Sequence, residues 1–161
     1  MRKIALTISL TAAGTLALCN EIVDDFSQKG WALYKSTPGK MTVKKNQLQL
    51  EDKVDKTGWV TVGKNFTVDL DKPPLLVIKV ASLTKGGEAK VIRPKPYGKK
   101  KLLDMKKPGI YKVDIPKACG WKGKVKLHLA LYTIGDGSKI TYEYVKFTDK
   151  LTPQKQKELI K

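Results

Sequence analysis

From Trp121 to Phe147 the chain alternates apolar and polar residues almost without a break. Val125, Leu127, Leu129 and Leu131 share one parity, while Lys126, His128 and Tyr132 share the other. Successive side chains of a strand point to opposite faces, so this pattern demands a strand with one buried face and one wet face. A second β-rich run, Lys139 to Phe147, follows the link Gly135-Asp136-Gly137-Ser138. Link residues that tolerate positive φ predict that the two runs form a long antiparallel hairpin. Its leucine face then needs a second layer to cover it.

The upstream chain supplies one. Ile22–Phe26, Gly30–Tyr34, Met41–Val43 and Leu48–Leu50 read as short strands, with turns at Pro38-Gly39 and Asn46. Gly58–Val62 and Phe66–Leu70 read as a further pair. Asp71-Lys-Pro-Pro74 breaks the pattern, and the nearly continuous apolar run Leu75–Ala81 predicts a central strand. Glu88–Ile92 is a weaker strand. Residues 93–108 carry prolines and the run Lys99-Lys-Lys101, which predicts a long loop around a short strand near Leu102-Leu103. Ile110–Ile115 alternates again. Many short strands between regular turn signals, with no helical run inside the domain, predict an all-β fold, a β-sandwich or a barrel, and of these the antiparallel two-sheet β-sandwich is the expectation taken forward. Thr152-Pro153 and the residues after it predict a short C-terminal helix over 150–161.

The N-terminus is a separate matter. Arg2 and Lys3 precede an apolar segment, Ile4–Leu18, that is short for a membrane span, so residues 1–19 read as a signal peptide. Leu16-Ala-Leu-Cys19 leaves two readings open, ordinary secretion and a lipoprotein signal with Cys19 lipidated. Both place the protein outside the cytoplasm, as a secreted, periplasmic or cell-surface protein, touching a membrane only through a lipidated Cys19. Residues 20–149 then form a single domain. Cys119 is left as a lone thiol, read as a small buried apolar residue.

The chain carries 32 basic against 15 acidic residues, a formal net charge of +17. Outside the leader the basic residues are all Lys except Arg93. Lysine favours diffuse attraction to anions over the bidentate readout for which nucleic-acid binders use Arg. For an exported protein this points to acidic or sulfated polysaccharide, or other anionic cell-surface polymers, and away from nucleic acid.

Catalytic patterns are weak. Gly58-Trp-Val-Thr-Val-Gly63-Lys64 has phosphate-loop spacing, but Asn65 stands where a metal-binding hydroxyl belongs and the interior is strand-forming. There is one histidine, His128, and no Gly-x-Ser-x-Gly elbow. Carboxylates such as Asp24, Asp25, Glu88, Asp114 and Glu143 would need the fold to pair them for glycoside hydrolysis. Asn65-Phe-Thr67 matches a glycosylation acceptor, read as coincidence. Aromatic residues carry more information. Trp31, Tyr34, Trp59, Tyr97, Trp121, Tyr132, Tyr142 and Tyr144 offer flat surfaces of the sort a pyranose stacks on, although tryptophans beside strand-flanking glycines equally suit a core. Lys126, His128 and Tyr132 share a strand face, and form either a wet exterior or a strip for an anionic sugar. Arg93, Lys95 and Tyr97 cluster in the proline-rich segment, where Arg suits a carboxylate or sulfate. The candidate ligand-binding residues are therefore Lys126, His128, Tyr132, Arg93, Tyr97 and Trp31.

Several stretches together resemble the galactose-binding-like jelly-roll domains. These are Gly58-Trp-Val-x-Val, Phe66-Thr-Val-Asp-Leu-Asp71 leading into Pro74-Leu-Leu-Val-Ile-Lys-Val80, Gly109-Ile-Tyr-x-Val-Asp-Ile115, Gly120-Trp-x-Gly123, and the runs on either side of Gly135–Ser138. The resemblance spans roughly residues 22–149 and rests on packing motifs. It implies a jelly roll similar to non-catalytic carbohydrate-binding modules, some of which carry a structural Ca²⁺. Asp24, Asp25 and Asp149, near the two ends of the domain, are the positions for such an ion. The resulting expectation is an exported module that binds acidic polysaccharide without catalysis. The alternatives are an envelope adhesion or structural protein held by its basic surface, and a small lyase or hydrolase using Tyr132 with His128.

Overall fold

The computed structural model describes residues 21–35, 39–53, 58–72 and 75–148. The leader, Asp149 and the expected C-terminal helix lie outside them. The described residues form two antiparallel sheets packed face to face, the sandwich expected from the alternation.

The strands are β1 (Ile22–Asp24), β2 (Ala32–Leu33), β3 (Gly39–Lys44), β4 (Gln47–Asp52), β5 (Thr61–Asp69), β6 (Leu75–Leu83), β7 (Gly86–Pro94), β8 (Tyr97–Met105), β9 (Gly109–Asp114), β10 (Lys124–Ile134) and β11 (Lys139–Thr148). One sheet runs β3-β4-β11-β6-β9, with β1 pairing the far end of β11. The other runs β2-β5-β10-β7-β8. Leu48, Leu50, Leu76, Ile78, Ile140, Val145 and Phe147 from the first sheet meet Val62, Phe66, Val68, Ala89, Val91, Leu127, Leu129 and Leu131 from the second.

The leucine face of β10 is buried as its periodicity requires. The expected hairpin is not there. β10 pairs with β5 and β7, whereas β11 pairs with β4, β6 and β1 in the opposite sheet. The glycine link therefore crosses the thickness of the sandwich. Gly135 and Gly137 take φ of +98° and +65°, and Gly135 N–H donates to Gly58 O at 2.6 Å. Both runs have their greasy faces covered by each other across the core, which alternation alone does not distinguish from pairing side by side. Along β11 the buried positions change parity between Tyr142 and Val145, and register shifts in the pairing with β6 at Tyr142 and Tyr144 absorb the change.

Three local expectations are corrected. Gly58–Val62 and Phe66–Leu70 are not two strands, because β5 runs unbroken from Thr61 to Asp69 against β10. Residues 93–108 are not a long loop: β7 and β8 form a hairpin there, with a tight turn at Lys95-Pro96 and one register shift between Ala89 and Lys90. Its lysines lie on an edge strand, where charged side chains are tolerated. A single helical turn, α1 (Ile115–Cys119), follows β9, where no helical run was expected. Asp114 caps it through Lys117 N at 2.9 Å, and Gly120 closes it in the left-handed region. Its signals are all terminal, so no periodicity betrays it.

Candidate functional site

The outer face of the five-stranded sheet gathers most of the expected site. Residues directly opposite in antiparallel strands point to the same side, so the register settles which side chains are neighbours. Lys126, His128, Ala130 and Tyr132 of β10 lie opposite Thr67, Asn65, Gly63 and Thr61 of β5. On the other flank His128, Ala130 and Tyr132 lie opposite Ile92, Lys90 and Glu88, and Pro94 of β7 lies opposite Tyr97 of β8. Lys126, His128, Tyr132 and Tyr97 therefore share one face. Two candidates do not. Arg93 has the opposite parity, with its guanidinium 4.8 Å over the buried ring of Trp121 and its Nε donating to Pro96 O. Trp31 is in the core against Phe26 and Phe66, its indole N–H donating to Asp24 at 3.2 Å. Its core reading prevails.

At the centre of the face Gly63 makes room for a hydrogen-bonded chain. A Cβ at Gly63 would stand 2.1 Å from His128 Nε2 and 3.0 Å from Tyr34 Cε1. Over this gap Tyr34 reaches from beyond β2, its hydroxyl 2.6 Å from His128 Nε2, while His128 Nδ1 lies 2.8 Å from Asn65 Oδ1. Burial lowers the His128 pKa from its ordinary 6.5, so the ring is neutral at pH 7. Nδ1–H then donates to Asn65, and the Tyr34 hydroxyl donates to Nε2. Burial raises the Tyr34 pKa, keeping it a phenol. The partner of His128 is thus Tyr34, not the Tyr132 that shares its strand.

Because the folded pKa of His128 is depressed, its contribution to stability is present above about pH 6.5. It is lost as pH falls through the folded value. The unfolding midpoint of the wild type is expected to fall more steeply than that of His128→Gln between pH 7 and pH 5, as read by thermal melts. Parallel curves would show that His128 titrates alike in both states.

The two ends of the face differ in charge. At the Tyr132 end the ammonium of Lys90 sits 4.2 Å from the Tyr132 ring centroid and pairs with Glu88 at 2.7 Å. Lys101 lies 3.4 Å from Glu88 and 3.0 Å from Asp104, so the charges there are balanced. At the other end Lys126 and Lys99 take part in no ion pair among the described residues. Lys126 lines a surface cavity of about 320 Å³ with Asn65, Phe66, Thr67, Pro94 and Leu127. Tyr97, 74% exposed, stands opposite Pro94 beside it. Trp59, 48% exposed, precedes β5 at the Tyr132 end. Trp121 and Tyr142 are buried, and the Tyr142 hydroxyl donates to Tyr132 O across the core. The joining of Tyr34 and Asn65 to His128 and the exposure of Trp59 escape a sequence reading, because what joins or bares them is a neighbouring strand.

Of the expected calcium positions Asp24 and Asp25 are described, whereas Asp149 lies outside the described residues. Asp24 is buried, its Oδ2 held by Lys64 Nζ at 2.5 Å and by Trp31, its Oδ1 by Phe26 N–H at 3.0 Å. The Lys64 ammonium is thus the counter-charge of Asp24. Asp25 accepts from the Ser27 hydroxyl and N–H, which lower its pKa. Glu88, Asp114 and Glu143 are engaged with lysines or the α1 cap, and burial raises the Cys119 thiol pKa.

No family model matches this sequence, and no curated protein does. Solved structures share its fold. A mutant of CBM29-2, a family 29 carbohydrate-binding module, superposes with a TM-score of 0.59 at 11% identity, over 83% of this chain and 98% of that one. A structure described as carbohydrate binding module family 29 gives 0.54 at 10% identity, over 84% and 96%. A further CBM29-2 mutant, complexed with cellulohexaose, gives 0.53 at 10%, over 81% and 92%. The chain has the jelly-roll β-sandwich fold of carbohydrate-binding modules, as its packing motifs implied.

Proposed function

We propose that the outer face of the five-stranded sheet binds polysaccharide, with acidic or sulfated glycans preferred, in an exported module that performs no chemistry on them. The observation that carries this reading is the gathering of exposed or half-exposed rings with two lysines outside any described ion pair. Tyr97 and Trp59 offer surfaces for sugar rings, and the neutral Tyr34–His128–Asn65 chain offers fixed groups for hydroxyls. Lys126 and Lys99 face the cavity end, where a carboxylate or sulfate would be drawn. The kinship in fold to modules that bind sugars supports the same reading by analogy.

Affinity measured on acidic and neutral glycans across a salt series tests it. Tyr97→Ala is expected to weaken binding about tenfold, roughly 1.4 kcal/mol, with the unfolding midpoint unchanged. Lys126→Ala is expected to cost under about 1 kcal/mol, and only at low salt. Discrimination among glycans of equal charge supports a defined site. Binding that follows charge density alone, indifferent to Tyr97, would instead favour the envelope adhesion role.

A further inference from the structure

The end of the outer face beyond Tyr132 is built differently from the Lys126 end. Past Thr61 the ladder between β5 and β10 continues, with Thr133 N–H donating to Val60 O at 2.9 Å and Gly135 N–H to Gly58 O at 2.6 Å. These two bonds bracket Trp59 and Ile134 and set them opposite each other. Both have the outward parity of Thr61 and Tyr132, and they are 48% and 39% exposed. On the other side of β10, Ile134 lies opposite Gly86 of β7, which shares the face with Glu88. A glycine there leaves its place on the face empty. A surface cavity of about 410 Å³ opens over it, walled by Ile134, Glu88 and Asp104. A Cβ at Gly86 would meet nothing closer than 3.7 Å, so neither crowding nor a positive φ demands a glycine.

The charges differ as well. Glu88 is paired with Lys90 and Lys101, and Asp104 with Lys101, while Lys85 Nζ donates to Asp136 O. Lys85 and Lys106 also line the cavity, so its charged side chains are two of each sign. A sulfate or carboxylate brought there gains no net attraction. An uncharged pyranose fits better: its C–H face lies against Ile134 and Trp59, and its hydroxyls donate to Glu88 and Asp104 in charge-assisted hydrogen bonds. Lys126, eight residues along β10 from Ile134 and so about 27 Å away, has Lys99 near it and no acid paired with either among the described residues. We propose that the face reads a glycan of mixed charge, with an uncharged sugar in the trough at Gly86 and the acidic group beside Lys126, in preference to a chain charged at every residue. This polarity rests on the reading of the face as a glycan site, and it gives the bound chain a direction.

Calorimetric titration at low salt with hexasaccharides of galacturonan tests it, using chains with all carboxyls free, all methyl-esterified, and esterified in the reducing or the non-reducing half only. A sulfated galactan with its fully and half-desulfated forms covers sulfate as the acid. One of the two half-charged forms is expected to bind about fivefold more tightly than the other and than either uniform form. Gly86→Val fills the trough with a residue that strands accept. It should remove that advantage, hold the fully charged form within about twofold of the wild type, and keep the unfolding midpoint. Trp59→Ala should act in the same way, and carries the test if Gly86→Val does not fold. A wild type that binds neither half-charged form best, or a Gly86→Val variant that keeps the preference, would overturn the polarity and leave the glycan-binding reading in place. Binding to no form in either series would remove that reading, and the polarity with it.

Discussion

Asp24→Ala is expected to lower the free energy of unfolding by about 3–5 kcal/mol, a large share of the roughly 5–15 kcal/mol that a domain commonly has. Asp24 comes from the strand at the edge of β11 and Lys64 from β5, so their contact bridges the two sheets. Their side chains are 4% and 15% exposed. Deleting the carboxylate strands the ammonium where water can barely reach it. The N–H groups of Phe26 and of the Trp31 indole also lose their acceptor, at about 1–3 kcal/mol for each such group left unsatisfied. Removing both charges is a different experiment. Asp24→Leu with Lys64→Met is expected to recover much of the loss, since apolar replacements of buried pairs are commonly neutral or stabilising. Urea denaturation with slopes compared across the variants checks both. A loss below about 1 kcal/mol for the single variant would mean that the pair behaves as an exposed one.

Gly63→Ala is expected to have the largest effect on the glycan-binding face. The backbone at Gly63 has no unusual φ, so the objection to a side chain is purely one of space. A methyl 2.1 Å from His128 Nε2 forces the ring outward and breaks its contacts to Tyr34 and Asn65. Crowding costs about 1–3 kcal/mol, and each lost hydrogen bond about 0.5–1.5 kcal/mol more. On the proposed function, glycan affinity should fall by at least about tenfold, since the displaced ring occupies the centre of the face. Calorimetric titration with the preferred glycan, beside a melt of the same sample, separates the two effects. An affinity that stays at the wild-type value while the midpoint falls would place the ligand elsewhere.

Much of this was legible beforehand. The parity of Leu127, Leu129 and Leu131 dictates a strand with one buried face, and it puts Lys126, His128 and Tyr132 together on the other. Lys45 and Asn46, both at positive φ, turn β3 into β4 as expected of Asn46. Local signals did worse where two structures share one pattern. Pro94, Pro96 and the triple lysine look like loop, yet an edge strand tolerates them. Arg93 and Tyr97 look like neighbours in sequence, yet opposite parity in the β7–β8 hairpin sends one to Trp121 and the other to solvent.

Alternation by itself determined that this chain folds as antiparallel β structure, sandwich or barrel, because strands with a period of two hide their apolar side chains only against another β layer or inside a closed sheet. It also determined which residues of each strand face outward. Only the tertiary structure decided that β10 and β11 part into different sheets, that Tyr34 reaches over Gly63 to His128, and that Asp24 meets Lys64. Strand pairing and contacts across the core join residues tens of positions apart, and no local pattern records which partner a backbone edge or a buried charge will find.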